Sequence, residues 1–190
     1  MPLKKAEQIL VLILSFLLLV SQPGAAEQEA RLENIIITNT RDGLLIYMNV
    51  EGAFTEKMKN AVLSGVPITF SFFFQLHQVR NIWIDKKIAA LKIIQTLKYD
   101  SLKKEYIILR SWGEDKFLTA DSIEEAEKLM TNIQGLTICD IQKLKKGQQY
   151  QVRAKAELSK KTLPFYLHYV LFSMSLWDFE TDWYTIDFIY

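Results

Sequence analysis

The sequence predicts a mainly β (α+β) domain: about eight antiparallel strands curled into a sandwich or an open barrel, with two or three short helices. Three observations carry this prediction. After Glu27 the dominant period of the apolar residues is two, the period of strands with one buried face. Turn-forming residues such as Asp42-Gly43, Asp100-Ser101 and Gly113-Glu114 interrupt the runs at short intervals. The two clear helical segments each have a cap before them and a glycine after them.

The elements follow in order. Leu32 to Thr38 and Leu44 to Val50 are β-rich runs joined by Thr40-Arg41-Asp42-Gly43, where Asp-Gly predicts a hairpin turn with positive φ at both residues. A short helix is expected over Glu56 to Ser64, capped by Thr55 and stopped by Gly65 and Pro67, with Met58, Ala61 and Val62 as its buried stripe. Ile68 to Val79 is the clearest strand. Ile68, Phe70, Phe72, Phe74 and Leu76 share one face, and Thr69, Ser71, Phe73, Gln75 and His77 the other. After a bend over Asn81 to Asp85, Lys87 to Tyr99 reads as a long strand with Ala89, Leu91, Ile93, Leu97 and Tyr99 inward. Glu105 to Trp112 and the short Lys116 to Thr119 follow as strands. A second helix opens at Asp121 or Ser122 with a capping box to Glu124 or Glu125. Its stripe is Ile123, Ala126, Met130 and Ile133, and Gly135 ends it. Leu136 to Leu144 and Gln149 to Leu158 are expected to form a hairpin around Lys145-Lys146-Gly147. Phe165 to Leu176 is nearly all apolar and reads as a short helix or a buried strand; Asp182 to Tyr190 reads as the last strand.

Residues 1–26 have the layout of a secretion signal. Lys4 and Lys5 give a positive start, Ile9 to Val20 an apolar run of 12 residues broken only by Ser15, and Ala25-Ala26 a small-residue cleavage site. The run falls short of the roughly 18 residues that span a bilayer as a helix. The expected organisation is therefore a signal peptide, 1–26, and a single β-rich exported domain, 27–190, most simply periplasmic. If cleavage fails, the leader tethers the domain to the inner membrane. Cys139 is the only cysteine, so no intramolecular disulfide can form, and no cysteine follows the apolar run to take a lipid. It is expected to be a small buried hydrophobe rather than a reactive thiol.

Charge excludes some partners. The whole-chain charge of +1 resides in the leader, which leaves acidic and basic residues balanced in the mature chain. Such a surface has no electrostatic footprint for nucleic acid and gives no strong attraction to an anionic membrane. Membrane contact is expected only through the leader or through Leu163 to Leu176, an apolar stretch that would form a contact patch if exposed.

No metal or catalytic motif is legible. The two histidines and one cysteine show no zinc spacing, no serine sits in a nucleophile elbow, and the seven glycines form no phosphate loop. His77 is expected to be a solvated strand residue and His168 a packed or interfacial one. The most suggestive pattern is Trp177-Asp178-Phe179-Glu180-Thr181-Asp182-Trp183, which if extended puts Asp178, Glu180 and Asp182 on one face and Trp177, Phe179 and Trp183 on the other. A calcium loop would need glycine where Trp183 stands. Carboxylates two apart on a strand lie about 7 Å from one another, within glycosidase reach. The bland alternative is an edge strand protected by charge. The residues expected to form a contact surface are Phe165, Tyr166, Tyr169, Phe172, Trp177, Asp178, Glu180, Asp182 and Trp183.

Three stretches, Gly65-Val66-Pro67-Ile68-Thr69-Phe70, Leu97-Lys98-Tyr99-Asp100-Ser101-Leu102 and Trp177 to Trp183, together resemble a bacterial exported family known as domain of unknown function 4390. Ser122-Ile123-Glu124-Glu125-Ala126, opening a helix, is also similar. The resemblance spans the whole mature chain and implies no activity, cofactor or catalytic residue. The functional expectation is a non-enzymatic periplasmic or cell-envelope domain that binds a protein or envelope component and needs no cofactor. The alternatives are a small-ligand or lipid binder with a pocket against the Phe70 to Phe74 face, and a hydrolase using Asp178, Glu180 and Asp182.

Overall fold

The computed structural model describes residues 30–159 and 180–190. The expected leader, residues 1–26, the run Leu163 to Leu176 and, with them, Phe165, Tyr166, His168, Tyr169, Phe172, Trp177 and Asp178 lie outside the described residues. The described chain forms nine strands: β1 (Arg31–Asn39), β2 (Gly43–Glu51), β3 (Ile68–Gln78), β4 (Lys86–Asp100), β5 (Glu105–Arg110), β6 (Phe117–Ala120), β7 (Asn132–Asp140), β8 (Gln149–Leu158) and β9 (Tyr184–Ile189). Two helices, α1 (Glu56–Leu63) and α2 (Ile123–Thr131), and a 3-10 turn at Ile141–Lys143 complete it. The strands make two antiparallel sheets, a three-stranded one ordered β1-β2-β7 and a six-stranded one ordered β6-β5-β4-β3-β8-β9. Their inner faces share one core, which is the sandwich form of the predicted architecture.

β3 is the centre of that core. Ile68, Phe70, Phe72, Phe74 and Leu76 are all sealed from solvent, as strict alternation requires. The facing strand supplies small partners. Phe72 pairs with Ala156 and Phe74 with Ala154, so the rings occupy the space that the alanines leave. From the other sheet Leu44, Ile46, Met48 and Val50 of β2 close over them. Both helices carry the expected caps: the Thr55 hydroxyl accepts from the Met58 amide and the Ser122 hydroxyl from the Glu125 amide.

Three expectations are corrected, and β1 adds an irregularity. β7 and β8 are not a hairpin, since β7 pairs with β2 in the smaller sheet and β8 with β3 in the larger. β7 also ends at Asp140, and the Ile141–Lys143 turn carries the chain between layers. Gly135 does not end α2. The helix stops at Thr131, Ile133 points inward from β7, and Gly135 (φ 62°) sits in a bulge where β7 gains a residue opposite Tyr47. The Asp42-Gly43 turn has no positive φ; instead the Thr40 hydroxyl accepts from the Gly43 amide, and the Thr40 amide donates to the Gly43 carbonyl. Finally, β1 does not alternate cleanly. A bulge at Asn34 (φ 52°) switches its faces, so that Leu32 is buried, Ile35 and Ile37 pack on the core, and Ile36 faces out. Asparagine is among the few residues that tolerate this left-handed backbone.

Candidate functional site

Among the described residues, the link between β3 and β4 gathers three large exposed apolar side chains. Ile82, Trp83 and Ile84 are 88%, 75% and 92% exposed. Turns normally take Gly, Pro, Asn, Asp or Ser for backbone reasons. Three consecutive large apolar residues in one are not explained by turn chemistry. The loop is nevertheless defined: the Arg80 amide donates to Asp85 Oδ1 at 3.2 Å, and the Val79 amide donates to the Gln149 carbonyl at 2.9 Å. Trp83 therefore stands beside the loop before β8, and the two loops line a cleft of about 560 Å³ with Arg80, Asn81 and Gln148. On the same side the Gly147 amide donates to the Tyr190 carbonyl, and the neighbouring Ile189 is 76% exposed. The Tyr150 ring, fully buried, holds this end together: its hydroxyl accepts from the Lys145 amide at 2.7 Å and its ring stacks on Phe188. Period and turn chemistry alone read Asn81 to Asp85 as a bend. The signal was there, in an apolar triplet placed where polarity was due.

The described part of the tryptophan-acid pattern forms a different node. Thr181, buried, is pinned to β8: its amide donates to the Ala156 carbonyl at 2.9 Å, and its hydroxyl accepts from the Ala156 amide at 3.0 Å. Glu180 bridges to Glu157 and is ion-paired with Lys155, and the Lys155 ammonium lies 5.8 Å from the Trp183 ring. Asp182 and Trp183 precede β9 rather than belonging to it, so Glu180 and Asp182 are not on one strand face. Glu180 is neutralised by its lysine, and Asp182 is exposed to solvent. The Phe70, Phe72 and Phe74 side chains, expected to line a pocket in the alternative reading, are fully buried in the core.

The structure also pairs two carboxylates that sequence spacing could not associate. Glu33 and Glu51 meet across β1 and β2 at the mouth of a cleft of about 450 Å³ that Glu124 and Glu127 also line. The hydrogen bond with Glu51 and burial push the Glu33 carboxyl up, while Arg31, 2.8 Å from Glu33 Oε1, opposes them. The Glu33 and Glu51 side chains are 35% and 55% exposed, so the pair is a wet one. Behind α2, Gln95 and Arg110 both donate to the Leu129 carbonyl, at 2.5 and 3.2 Å, and hold the C-terminal turn of that helix. Burial lowers the Arg110 pKa. Cys139 is buried, and burial raises its thiol. Among the described residues there is no group of three or more His, Cys, Asp and Glu able to hold a metal, and no helix long and apolar enough to cross a membrane.

His77 is not the solvated residue expected. Its Nε2 is buried and without a hydrogen-bond partner among the described residues. Burial, with help from Arg153 and Lys87 and against Asp85, lowers its pKa below the ordinary 6.5. Such a histidine stabilises the fold fully above that ordinary value, and the contribution is lost as pH falls from it toward the lowered folded value. Thermal unfolding followed from about pH 8 to about pH 5 is expected to show Tm falling with acidity, and the fall to be shallower in His77→Gln. Parallel profiles for the two proteins would refute this account of His77.

Two DNA ligases of Orientia tsutsugamushi are similar to this chain. That of strain Boryong is 26% identical over 142 residues, 73% of this chain and 20% of the ligase. That of strain Ikeda is 26% identical over 132 residues, 68% of this chain and 19% of the ligase. The chain thus spans about a fifth of the length of these curated relatives. No solved structure matches it. The family model described as domain of unknown function (DUF4390) matches residues 27–187, which is most of the chain, and the protein belongs to that family.

Proposed function

We propose that this protein is an exported cell-envelope domain that acts by binding a protein or another envelope component, not by catalysis. The carrying observation is the exposed Ile82-Trp83-Ile84 tip on an otherwise well-packed sandwich. Large exposed apolar groups gathered at one place mark contact sites, and functional segments sit on loops held by a rigid scaffold. Here the scaffold is the longest antiparallel pair of the molecule, β3 and β4. The leader layout of residues 1–26 supports export.

The test is affinity capture from the envelope fraction with the protein and with Ile82→Ser/Trp83→Ser/Ile84→Ser, with intact mass measured on both. Recovery of one envelope component by the native protein and its loss in the variant is expected, with a mature chain beginning at Glu27. Equal recovery by both proteins would move the contact surface elsewhere. A mass that retains the leader would replace release by tethering.

A further inference from the structure

The binding reading says that the tip makes contact; the surrounding charge says with what. Arg80, Lys86 and Lys87 flank Ile82-Trp83-Ile84 in sequence and are exposed. Lys145 and Lys146, also exposed, precede the Gly147 to Gln149 segment that shares the cleft with Trp83. Gln78 Nε2 donates to Gln148 Oε1 at 3.1 Å, and Gln78 pairs with Lys86, so both basic groups stand at one end of the larger sheet. None of these basic residues is ion-paired among the described residues. Asp85, the acid within the loop, accepts from the Arg80 amide. Around the exposed apolar triplet Ile82-Trp83-Ile84 the described residues therefore carry a positive surplus.

We propose that this tip seats the end of the six-stranded sheet on an anionic lipid bilayer, with Ile82, Trp83 and Ile84 entering the headgroup region and Arg80, Lys86, Lys87, Lys145 and Lys146 facing the lipid phosphates. This deepens the binding reading and rests on it. Tryptophan with aliphatic neighbours is the composition that settles at the membrane–water boundary, and basic residues at its edge add attraction to anionic lipid. A protein partner fits less well. Stable protein interfaces bury about 800 Å² on each side, and a loop of three exposed apolar residues does not offer a face of that size. A fluid bilayer needs no shape complementarity. Ile189, exposed at the same end, lies in position to add to the contact.

The probe is co-sedimentation with vesicles of phosphatidylcholine alone and of phosphatidylcholine with phosphatidylglycerol, at low and high salt. The protein is the one recovered from the envelope, with its N-terminus checked by mass. Native protein is expected to bind the anionic vesicles, to lose binding in high salt, and to bind the neutral vesicles poorly. Ile82→Ser/Trp83→Ser/Ile84→Ser should weaken partitioning at least tenfold, and Lys86→Gln/Lys87→Gln roughly fivefold per lysine. Both variants should unfold at the native temperature, because the changed side chains are exposed. Undiminished vesicle binding by the triple variant would overturn the proposal. So would absence of vesicle binding by the native protein. If the native protein ignores vesicles while envelope capture still depends on the tip, the lipid assignment fails and the binding reading stands. If neither depends on the tip, both fail.

Discussion

Phe72→Ala is expected to be the most damaging single substitution in the described core. Phe72 is fully buried at the middle of the central strand, pairs with Ala156 on one side and Ile93 on the other, and meets the Phe70 ring edge-on at 6.4 Å. Phenylalanine-to-alanine changes at such positions cost about 3–5 kcal/mol. The upper part of that range applies here. Collapse into a vacated site needs a neighbour long enough to move in, and the cross-strand neighbours on β8 are Ala154 and Ala156. Domains of this class are stable by about 5–15 kcal/mol, and each kcal/mol is worth about 2–4 °C in Tm at this size. A drop on the order of 10 °C or more is expected, read by calorimetry and by the midpoint of urea unfolding. Phe72→Leu, which keeps most of the volume, should fall well short of that loss. Equal costs for the two variants would show that the space over Ala156 is not filled as described.

The same strand shows how far the sequence could be read. β3 was legible to within one residue because the alternation of Ile68, Phe70, Phe72, Phe74 and Leu76 is unbroken, but the burial of Thr69 and Ser71 on its other face was not. The α2 cap was legible because Ser122 and Glu125 act within one turn. What failed was non-local. Lys145-Lys146-Gly147 reads as a hairpin turn, but whether β7 and β8 pair is decided by the distant β2 and β3, which claim one strand each. The bulges at Asn34 and Gly135 were invisible for a related reason. An extra residue is defined against a partner strand, and period-two reading has no partner in view. The site divides in the same way. The Trp177 to Trp183 pattern announced its own acids and aromatics, but the Lys155 that neutralises Glu180 arrives through the folding of β8 against that segment. The Ile82-Trp83-Ile84 triplet was local and could have been found. It was missed because loops are scanned for what turns the chain, and these residues do not.

Gly43→Ala is expected to be the second large effect, by a mechanism unlike the usual one for glycine. Gly43 has no positive φ, so alanine can adopt its backbone without strain. The obstacle is space. A Cβ at Gly43 would stand 2.8 Å from Thr137 Cγ2 and 3.0 Å from the Cys139 carbonyl oxygen, both on β7. Threonine is β-branched and stiff at χ1, so its methyl cannot swing aside freely, and the carbonyl belongs to the strand itself. Relief requires β7 to move off β2, and such overpacking costs about 1–3 kcal/mol. Gly135→Ala should cost a comparable amount for the opposite reason: its nearest contact, Tyr47 Oη at 3.6 Å, is ordinary, and its φ of 62° is what alanine resists. A double-mutant cycle separates the two. Removing the methyl with Thr137→Ser should return part of the Gly43→Ala loss, leaving the share due to the Cys139 carbonyl, with a coupling of at least about 0.5 kcal/mol. Tyr47→Phe should return none of the Gly135→Ala loss. Strict additivity in the Gly43 cycle would mean that the two strands are not locked at that crossing.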